Sequence, residues 1–379
     1  MSEHLQGDRP GGNDRSVIGL IDARAAHRAN IKHALGGLYD VVAFGDSNDA
    51  LTWMRKATPT LVILDEDVKP MSCQSTLEAI LRVPEDKRPL VVCTSAETDS
   101  AFLPFARKRG VAATIQKPFT RVQLVDVIAK LVNNAIEASW SGLAAQPKLT
   151  LKRTLTLFTG LAQSLSDGLP LPYSQIHDCC TPLLAAIDDG GYKEILRALK
   201  NHDNYSFVHS LRAATLMALA GQAMGLSYDE RLILAAGGLM HDAGKMAIPT
   251  DILNKVGPLT EQDWKMLRMH VEVTSHVLLR NSDMPRGVCM IVEQHHERLD
   301  GTGYPRNLAS EHINVLVRMA MIVDIFTAMT DRRPYRPALS AEDALKAMMD
   351  MTGKIDTGLL LLFRDMLSDS LGDEGAKAA

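Results

Sequence analysis

Charge of one sign, paired cysteines and long apolar runs are all missing from this sequence, and each absence removes a class of function. The net charge over 379 residues is only −4, so the basic footprint that nucleic-acid binding needs is absent. Cysteine occurs five times, scattered and odd in number, which points to reduced thiols rather than a disulfide framework. No run approaches the ~18 apolar residues of a membrane helix. The opening, Met1 to Arg15, is polar and glycine-rich with no apolar signal region. These features predict a cytoplasmic protein with no membrane span and no DNA partner. What is present, 46% apolar and 23% charged residues, is the composition of a globular chain with room for two or three domains.

Residues 1–15 read as a disordered tail. From 16 to 133, short β-rich runs alternate with amphipathic helices. Val17-Ile18-Gly19-Leu20-Ile21 predicts a strand and Arg24 to Leu35 a helix; Val41-Val42-Ala43-Phe44 predicts the next strand, with a helix from Ser47 opened by a Ser-Asn-Asp capping signal. Leu61 to Leu64 runs into Asp65, Leu90 to Cys93 into Thr94-Ser95, and Ala113 to Ile115 into Lys117-Pro118. Continuous apolar strands separated by helices predict a buried parallel sheet, an α/β doubly wound fold. Functional groups in such sheets gather at the carboxyl ends of strands, where Asp22, Asp65, Ser95 and Lys117 fall. Residues 134–200 read as a helical linker with breaks at 142–147 and 167–172. An all-α domain follows over 201–370, and 371–379 reads as a tail.

Histidine is concentrated in the all-α part. Eight of the twelve, at 202, 209, 241, 270, 276, 295, 296 and 312, lie between positions 202 and 312. Met240-His241-Asp242-Ala243-Gly244-Lys245 sets an imidazole and a carboxylate on adjacent backbone positions, and His295-His296 adds two imidazoles. His209, His270 and Asp324 sit singly on predicted helices. Polar groups beside apolar helices such as Leu232 to Met240 are costly unless paired or metal-bound. Imidazole and carboxylate without cysteine suit Fe, Mn or Zn. The candidates outnumber the needs of one tetrahedral ion, which favours two ions sharing a carboxylate, held between facing helices of a bundle.

His241-Asp242 with Lys245, followed by His295-His296-Glu297-Arg298-Leu299-Asp300-Gly301-Thr302-Gly303-Tyr304-Pro305, resembles the HD-GYP family of bacterial cyclic di-GMP phosphodiesterases. The resemblance covers about Asp203 to Phe363 and includes Ile252-Leu253-Asn254-Lys255 and Asp331-Arg332-Arg333-Pro334-Tyr335-Arg336. It implies His209, His241, Asp242, His270, His295, His296 and Asp324 as metal ligands, with Asp242 bridging two ions, Fe first and Mn second. Two metals supply hydroxide at neutral pH and clamp phosphate oxygens, so the implied chemistry is in-line cleavage of a 3′–5′ phosphodiester. Lys245 would act with Asp242 in catalysis by stabilising charge on the phosphoryl oxygens. Asp203, Lys245, Tyr304, Arg333 and Arg336 are the implied substrate contacts, Tyr304 stacking on a guanine from a loop that two glycines make conformationally permissive. The same loop implies GGDEF-type partners. Tyr205 replaces the glutamate that supports a third metal in some members, so two metals are expected.

The segment 16–133 resembles a response-regulator receiver domain. That implies Asp65 as phosphoacceptor, Ser95 as the switch hydroxyl, Lys117 ahead of a cis-type Pro118, Mg²⁺ bound near Asp22, a sensor histidine kinase as partner, and a homodimer. Two departures stand out. Asp22 is followed by Ala23 where receivers carry a second acid, which should weaken Mg²⁺ binding, with Glu66 or Asp67 as substitutes. Thr327 stands where the HD-GYP pattern has an aspartate three residues after Asp324. It should border the site, and Thr327→Asp is expected to raise activity. The leading expectation is a phosphodiesterase converting cyclic di-GMP to pGpG under receiver control, with the final product, pGpG or GMP, left open by the sequence. The rival is a weakly active or inactive sensor or scaffold that binds cyclic di-GMP or GGDEF-type proteins.

Overall fold

The computed structural model describes residues 16–36, 38–167, 169–199, 205–253, 255, 257–279, 283–331 and 338–376. The expectations for the tail 1–15, for Asp203, for Arg333 and Arg336, and for the side chain of Tyr205 lie outside the described residues. The chain divides into two compact units, Met1–Ser139 and Trp140–Ala379.

In the first unit, β1 (Val17–Ile21), β2 (Asp40–Phe44), β3 (Leu61–Asp65), β4 (Leu90–Ser95) and β5 (Ala113–Gln116) form a parallel sheet in the order β2-β1-β3-β4-β5. The helices between and after them are α1 (Ala25–Leu35), α2 (Ser47–Met54), α3 (Cys73–Leu81), α4 (Phe102–Lys108) and α5 (Arg121–Ala138). Alternate strand residues face opposite sides, so the apolar runs feed two cores. Ile18, Leu20, Ile63 and Val92 pack with Ile31 and Leu35 of α1 and Leu124 and Ile128 of α5. Val62, Leu64, Val91 and Cys93 pack with α3 and α4 through Leu77, Ile80, Phe102 and Leu103. The doubly wound expectation is met. The cap of α2 differs by one residue: Asp46 accepts from Asn48 N and Asp49 N, because its carboxylate reaches the free amides of the first turn while Ser47 is already helical.

The second unit is helical. It contains α6 (Ala145–Asp167), α7 (Tyr173–Asp188), α8 (Tyr192–Leu199), α9 (Tyr205–Ala223), α10 (Tyr228–Met240), α11 (Thr250–Leu253), α12 (Glu261–Leu279), α13 (Arg286–Gln294), α14 (Val315–Thr330), α15 (Ala341–Met349) and α16 (Thr357–Ala376). Leu234, Ala235, Ala236, Leu239 and Met240 are all buried. With apolar residues on every side, α10 is the central helix, packed by α9, α13, α7 and α14. Helices α6, α7 and α8, expected as a linker, pack on α9 and extend this core. The last helix runs to Ala376, beyond the expected tail boundary at 371. Among the described residues no helix is long and apolar enough to cross a membrane.

Candidate metal centre

The centre forms where α10 ends. Ser227 opens α10 with a capping box closed by Glu230, and the helix delivers His241 and Asp242 to the middle of the bundle before a 3-10 turn, Ala243–Ala247, carries the chain away. His209 comes from α9, His270 from α12, Asp324 from α14, and His295-His296 from the carboxyl end of α13. Thr260 opens α12 by accepting from Asp263 N at 3.2 Å while the Asp263 carboxylate accepts from Thr260 N at 2.8 Å, a reciprocal cap.

All seven side chains converge, in two groups. One is His209, His241, Asp242 and Asp324; the other is Asp242, His270, His295 and His296. Asp242 belongs to both, and its two oxygens divide the work. Oδ2 lies 3.3 Å from His209 Nε2 and 3.6 Å from His241 Nε2. Oδ1 lies 3.3 Å from His270 Nε2 and 3.8 Å from His295 Nε2. Asp324 Oδ1 completes the first group, 3.5 Å from His209 and 3.4 Å from His241. Its Oδ2 reaches toward His296 Nδ1 at 3.7 Å.

The imidazoles are oriented from behind. His241, His270 and His295 each donate Nδ1–H to a backbone carbonyl, of Gly238 at 2.8 Å, Leu267 at 2.6 Å and Val292 at 2.9 Å. His209 Nδ1 faces Asp331 Oδ2 at 2.6 Å. Fixing Nδ1 as donor leaves the Nε2 lone pair for the centre. The Nε2 atoms then face one another, at 3.2 Å for His209 and His241 and 3.5 Å for His270 and His295. Lone pairs so close repel unless a cation lies among them. Asp242 Oδ1 is buried without a hydrogen-bond donor, which a cation would also remedy.

The electrostatics agree. Burial alone would raise both acids, but Lys245, His241 and His209 hold Asp242 well below the carboxylate range, and His209, His241 and His296 do the same for Asp324. Burial pushes His270 down to about 3, so its imidazole is neutral at pH 7. Burial likewise lowers His209, yet Asp242, Asp324 and Asp331 outweigh it and hold the imidazole well above its ordinary value. The same negative field that would hold a proton there attracts a divalent ion. The residues fit divalent metal binding.

Lys245 Nζ pairs directly with Asp242 Oδ2. Tyr304 lies at the centre's edge, its ring 4.6 Å from that of His296 and tilted by 31°. The guanidinium of Arg268 sits 4.8 Å from the tyrosine ring. The ring expected to stack on a guanine therefore already has an imidazole and a cation as neighbours. Its loop is held by Glu297, which is buried and accepts from Arg306 N at 2.7 Å and Leu308 N at 3.0 Å. At Gly303 a side chain would meet the backbone of Glu297 and Arg298 at 2.4 Å, so the loop closes only with glycine there.

Thr327 behaves differently from the expectation. It is fully buried, but its hydroxyl turns back to the carbonyls of its own helix, Val323 O at 2.8 Å and Asp324 O at 3.0 Å. The carboxylate behind the centre is Asp331, held between His209 and Arg212, with Arg212 also donating to Thr330 Oγ1 at 2.7 Å. Sequence reasoning gave Asp331 no role. It caps the carboxyl end of α14 in extended backbone, where helix periodicity does not place it. Asp331→Asn weakens metal retention or turnover by about 10- to 100-fold, read by metal content after dialysis; full retention would refute the positioning role. The expected sign for Thr327→Asp also reverses. A buried carboxylate without its own cation costs about 3 kcal/mol or more, so a lower melting temperature with no gain in turnover is expected. A higher rate would return the role to position 327.

In the first unit, Asp22, Asp65 and Lys117 come together at the carboxyl ends of the strands: Lys117 Nζ pairs with Asp65 and lies 3.2 Å from Asp22 Oδ2. Lys117 precedes a cis proline, Pro118, as the sequence predicts. Ser95 is buried, its hydroxyl accepting from Glu97 N at 3.0 Å. The hydroxyl on Asp65 is that of Thr94, at 2.7 Å, a residue the sequence reading passed over.

A parallel α/β unit with an acid-and-lysine pocket, ahead of a helical unit whose core gathers five histidines and two aspartates, defines a receiver joined to an HD-type domain. Residues 18–129 match the response regulator receiver domain family and residues 195–359 the HD domain family. The chain carries a receiver domain ahead of an HD domain. It is 39% identical over 168 residues to a cyclic di-GMP phosphodiesterase of Pseudomonas aeruginosa, covering 44% of this chain and 40% of that protein. A cyclic di-GMP phosphodiesterase response regulator of Xanthomonas campestris pv. campestris is 25% identical over 344 residues, 89% of this chain and 84% of the relative. A 3′3′-cGAMP-specific phosphodiesterase of Vibrio cholerae is 31% identical over 231 residues, 60% of this chain and 44% of the relative. The chain thus spans less than half the length of the Pseudomonas and Vibrio proteins and most of the Xanthomonas one.

Proposed function

We propose that the protein is a binuclear-metal phosphodiesterase that hydrolyses cyclic di-GMP to a linear product, pGpG or GMP. The observation that carries this reading is the division of Asp242, one carboxylate oxygen turned to each histidine group. A pair of divalent metals, when bound, supplies a nucleophilic hydroxide at neutral pH and neutralises charge on a phosphodiester. Iron is the first choice and manganese the second for this imidazole and carboxylate set. His209, His241, His270, His295, His296 and Asp324 are the remaining ligands.

The chain's own residues do the rest. Asp331 and three carbonyls hold the imidazoles in one tautomer, so ligand geometry is set before substrate arrives. Lys245, paired with Asp242, is placed to stabilise charge gathering on the phosphoryl oxygens. Tyr304 and Arg268 offer a ring and a forked cation beside the centre, suited to a purine base and a phosphate. Asp203, Arg333 and Arg336 are proposed as further substrate contacts. Asp65 is proposed as the acceptor of a phosphoryl group from a sensor kinase, with Asp22, Thr94 and Lys117 around it, giving receiver control of the output. A homodimer and GGDEF-type partners complete the proposal.

A second reading has a specific basis, the likeness to a relative named for 3′3′-cGAMP. Both substrates present the same linkage to the metals and differ in one base. The test is turnover of each by the anaerobically purified full chain, with linear products separated by chromatography. A higher kcat/KM for cyclic di-GMP supports the first reading; a higher value for 3′3′-cGAMP replaces it with the second.

A further inference from the structure

The receiver pocket holds three carboxylates, Asp22, Asp65 and Asp67, and in receivers that bind Mg²⁺ such acids supply the oxygen ligands. Here a side chain from the same loop lies across all three. The Arg24 guanidinium places NH2 3.4 Å from Asp65 Oδ1 and 3.4 Å from Asp67 Oδ2, with Nε 3.8 Å from Asp22 Oδ1. Its backbone amide donates to the same Asp22 oxygen at 2.8 Å.

The other oxygens are turned to donors as well. Asp22 Oδ2 faces His27 Nδ1 and Lys117 Nζ. Asp65 Oδ2 accepts from Thr94 and Lys117, and Asp65 Oδ1 also accepts from Asp67 N at 3.3 Å. Lys117 Nζ is in turn 3.1 Å from His27 Nδ1. Asp22 and Asp65 are both buried. Burial would raise the Asp22 carboxyl, but His27, the Arg24 amide and Lys117 together hold it below its usual value.

Mg²⁺ demands near-ideal octahedral oxygen ligation and gives up its waters reluctantly. This pocket lacks the second acid, which is Ala23, and turns every oxygen of Asp22 and Asp65 toward a nitrogen or hydroxyl. The donor set does not fit the ion. Asp67, one of the two expected substitutes for the missing acid beside Glu66, is itself held by Arg24. We propose that Arg24 takes the place of the divalent cation in the receiver pocket, so that this receiver carries a built-in counter-ion and has no Mg²⁺ site. Any phosphoryl transfer to Asp65 then draws on Arg24 and Lys117 for charge compensation.

The test is Mg²⁺ titration of the full chain by calorimetry, with Asp65→Asn as the reference that subtracts binding elsewhere. Wild type and Asp65→Asn should give superimposable heats. Removing a fixed like charge from beside the ion's position should create a site, so Arg24→Ala is expected to bind Mg²⁺ at least about tenfold more tightly than wild type. That gain should vanish in Arg24→Ala/Asp65→Asn. Arg24→Gln, which keeps length and loses charge, should behave as Arg24→Ala does. Mg²⁺ binding by wild type that Asp65→Asn abolishes would overturn the proposal. So would two folded Arg24 variants, verified by circular dichroism, that bind no better than wild type.

Discussion

Asp242→Ala is expected to lose both metal ions at once, and turnover with them, by on the order of a thousandfold, since several kcal/mol of charge stabilisation disappear together. The reason is geometric. Each oxygen of this one carboxylate serves a different group of imidazoles, and among the described residues Asp242 belongs to both groups. His270→Ala, by contrast, removes a ligand from the second group only, and His209→Ala from the first only. The three variants therefore separate a shared bridge from two independent sites. Metal content per chain and product formation from cyclic di-GMP are the readouts. An Asp242→Ala protein that keeps one full equivalent of metal would show that the groups are not bridged.

Gly244→Ala is expected to have the largest effect of any one-carbon change near the centre. A side chain at this position would lie 2.2 Å from the carbonyl oxygen of His270 and 2.7 Å from Thr274 Oγ1. The first contact is backbone and cannot be relieved by a rotamer change. Gly244 N also donates to that hydroxyl at 2.8 Å, and Thr274 Oγ1 donates to His270 O at 2.8 Å, so the turn after Asp242 is pinned to α12 through polar contacts. Adding a methyl group must push the turn away from the helix that carries His270. Overpacking of this kind costs about 3 kcal/mol, or roughly 6 to 12 °C in the melting of a unit this size. Reduced metal content should accompany it, because Asp242 and His270 move apart. Thermal unfolding and metal analysis check both, and an unchanged melting temperature with full metal content would contradict the packing argument.

The two folds were legible in the sequence for different reasons. In the first unit, strands buried on both faces leave continuous apolar runs such as Leu61-Val62-Ile63-Leu64, and their carboxyl ends announce the pocket through Asp65 and Lys117. In the second, the ligands are rare residue types set in apolar helices, so His241-Asp242 and His295-His296 stand out by chemistry alone. What escaped was the support. Asp331 pairs with a histidine 122 residues earlier, a distance that no local pattern encodes. Thr327 was read as a missing acid, but whether its hydroxyl faces the centre or its own helix depends on packing. Arg24 is not legible because the sequence shows a carboxylate lost at Ala23 but not the cation that folding lays beside Asp65 and Asp67. Arg268 became relevant only when α12 laid it against Tyr304, a residue distant in the chain.

The most direct test of the account is metal and product analysis of the anaerobically purified wild-type chain. Two divalent ions per chain, together with conversion of cyclic di-GMP to linear pGpG or GMP, is the result the paired histidine groups predict. A folded chain holding one ion or none, and leaving cyclic di-GMP intact, would contradict it.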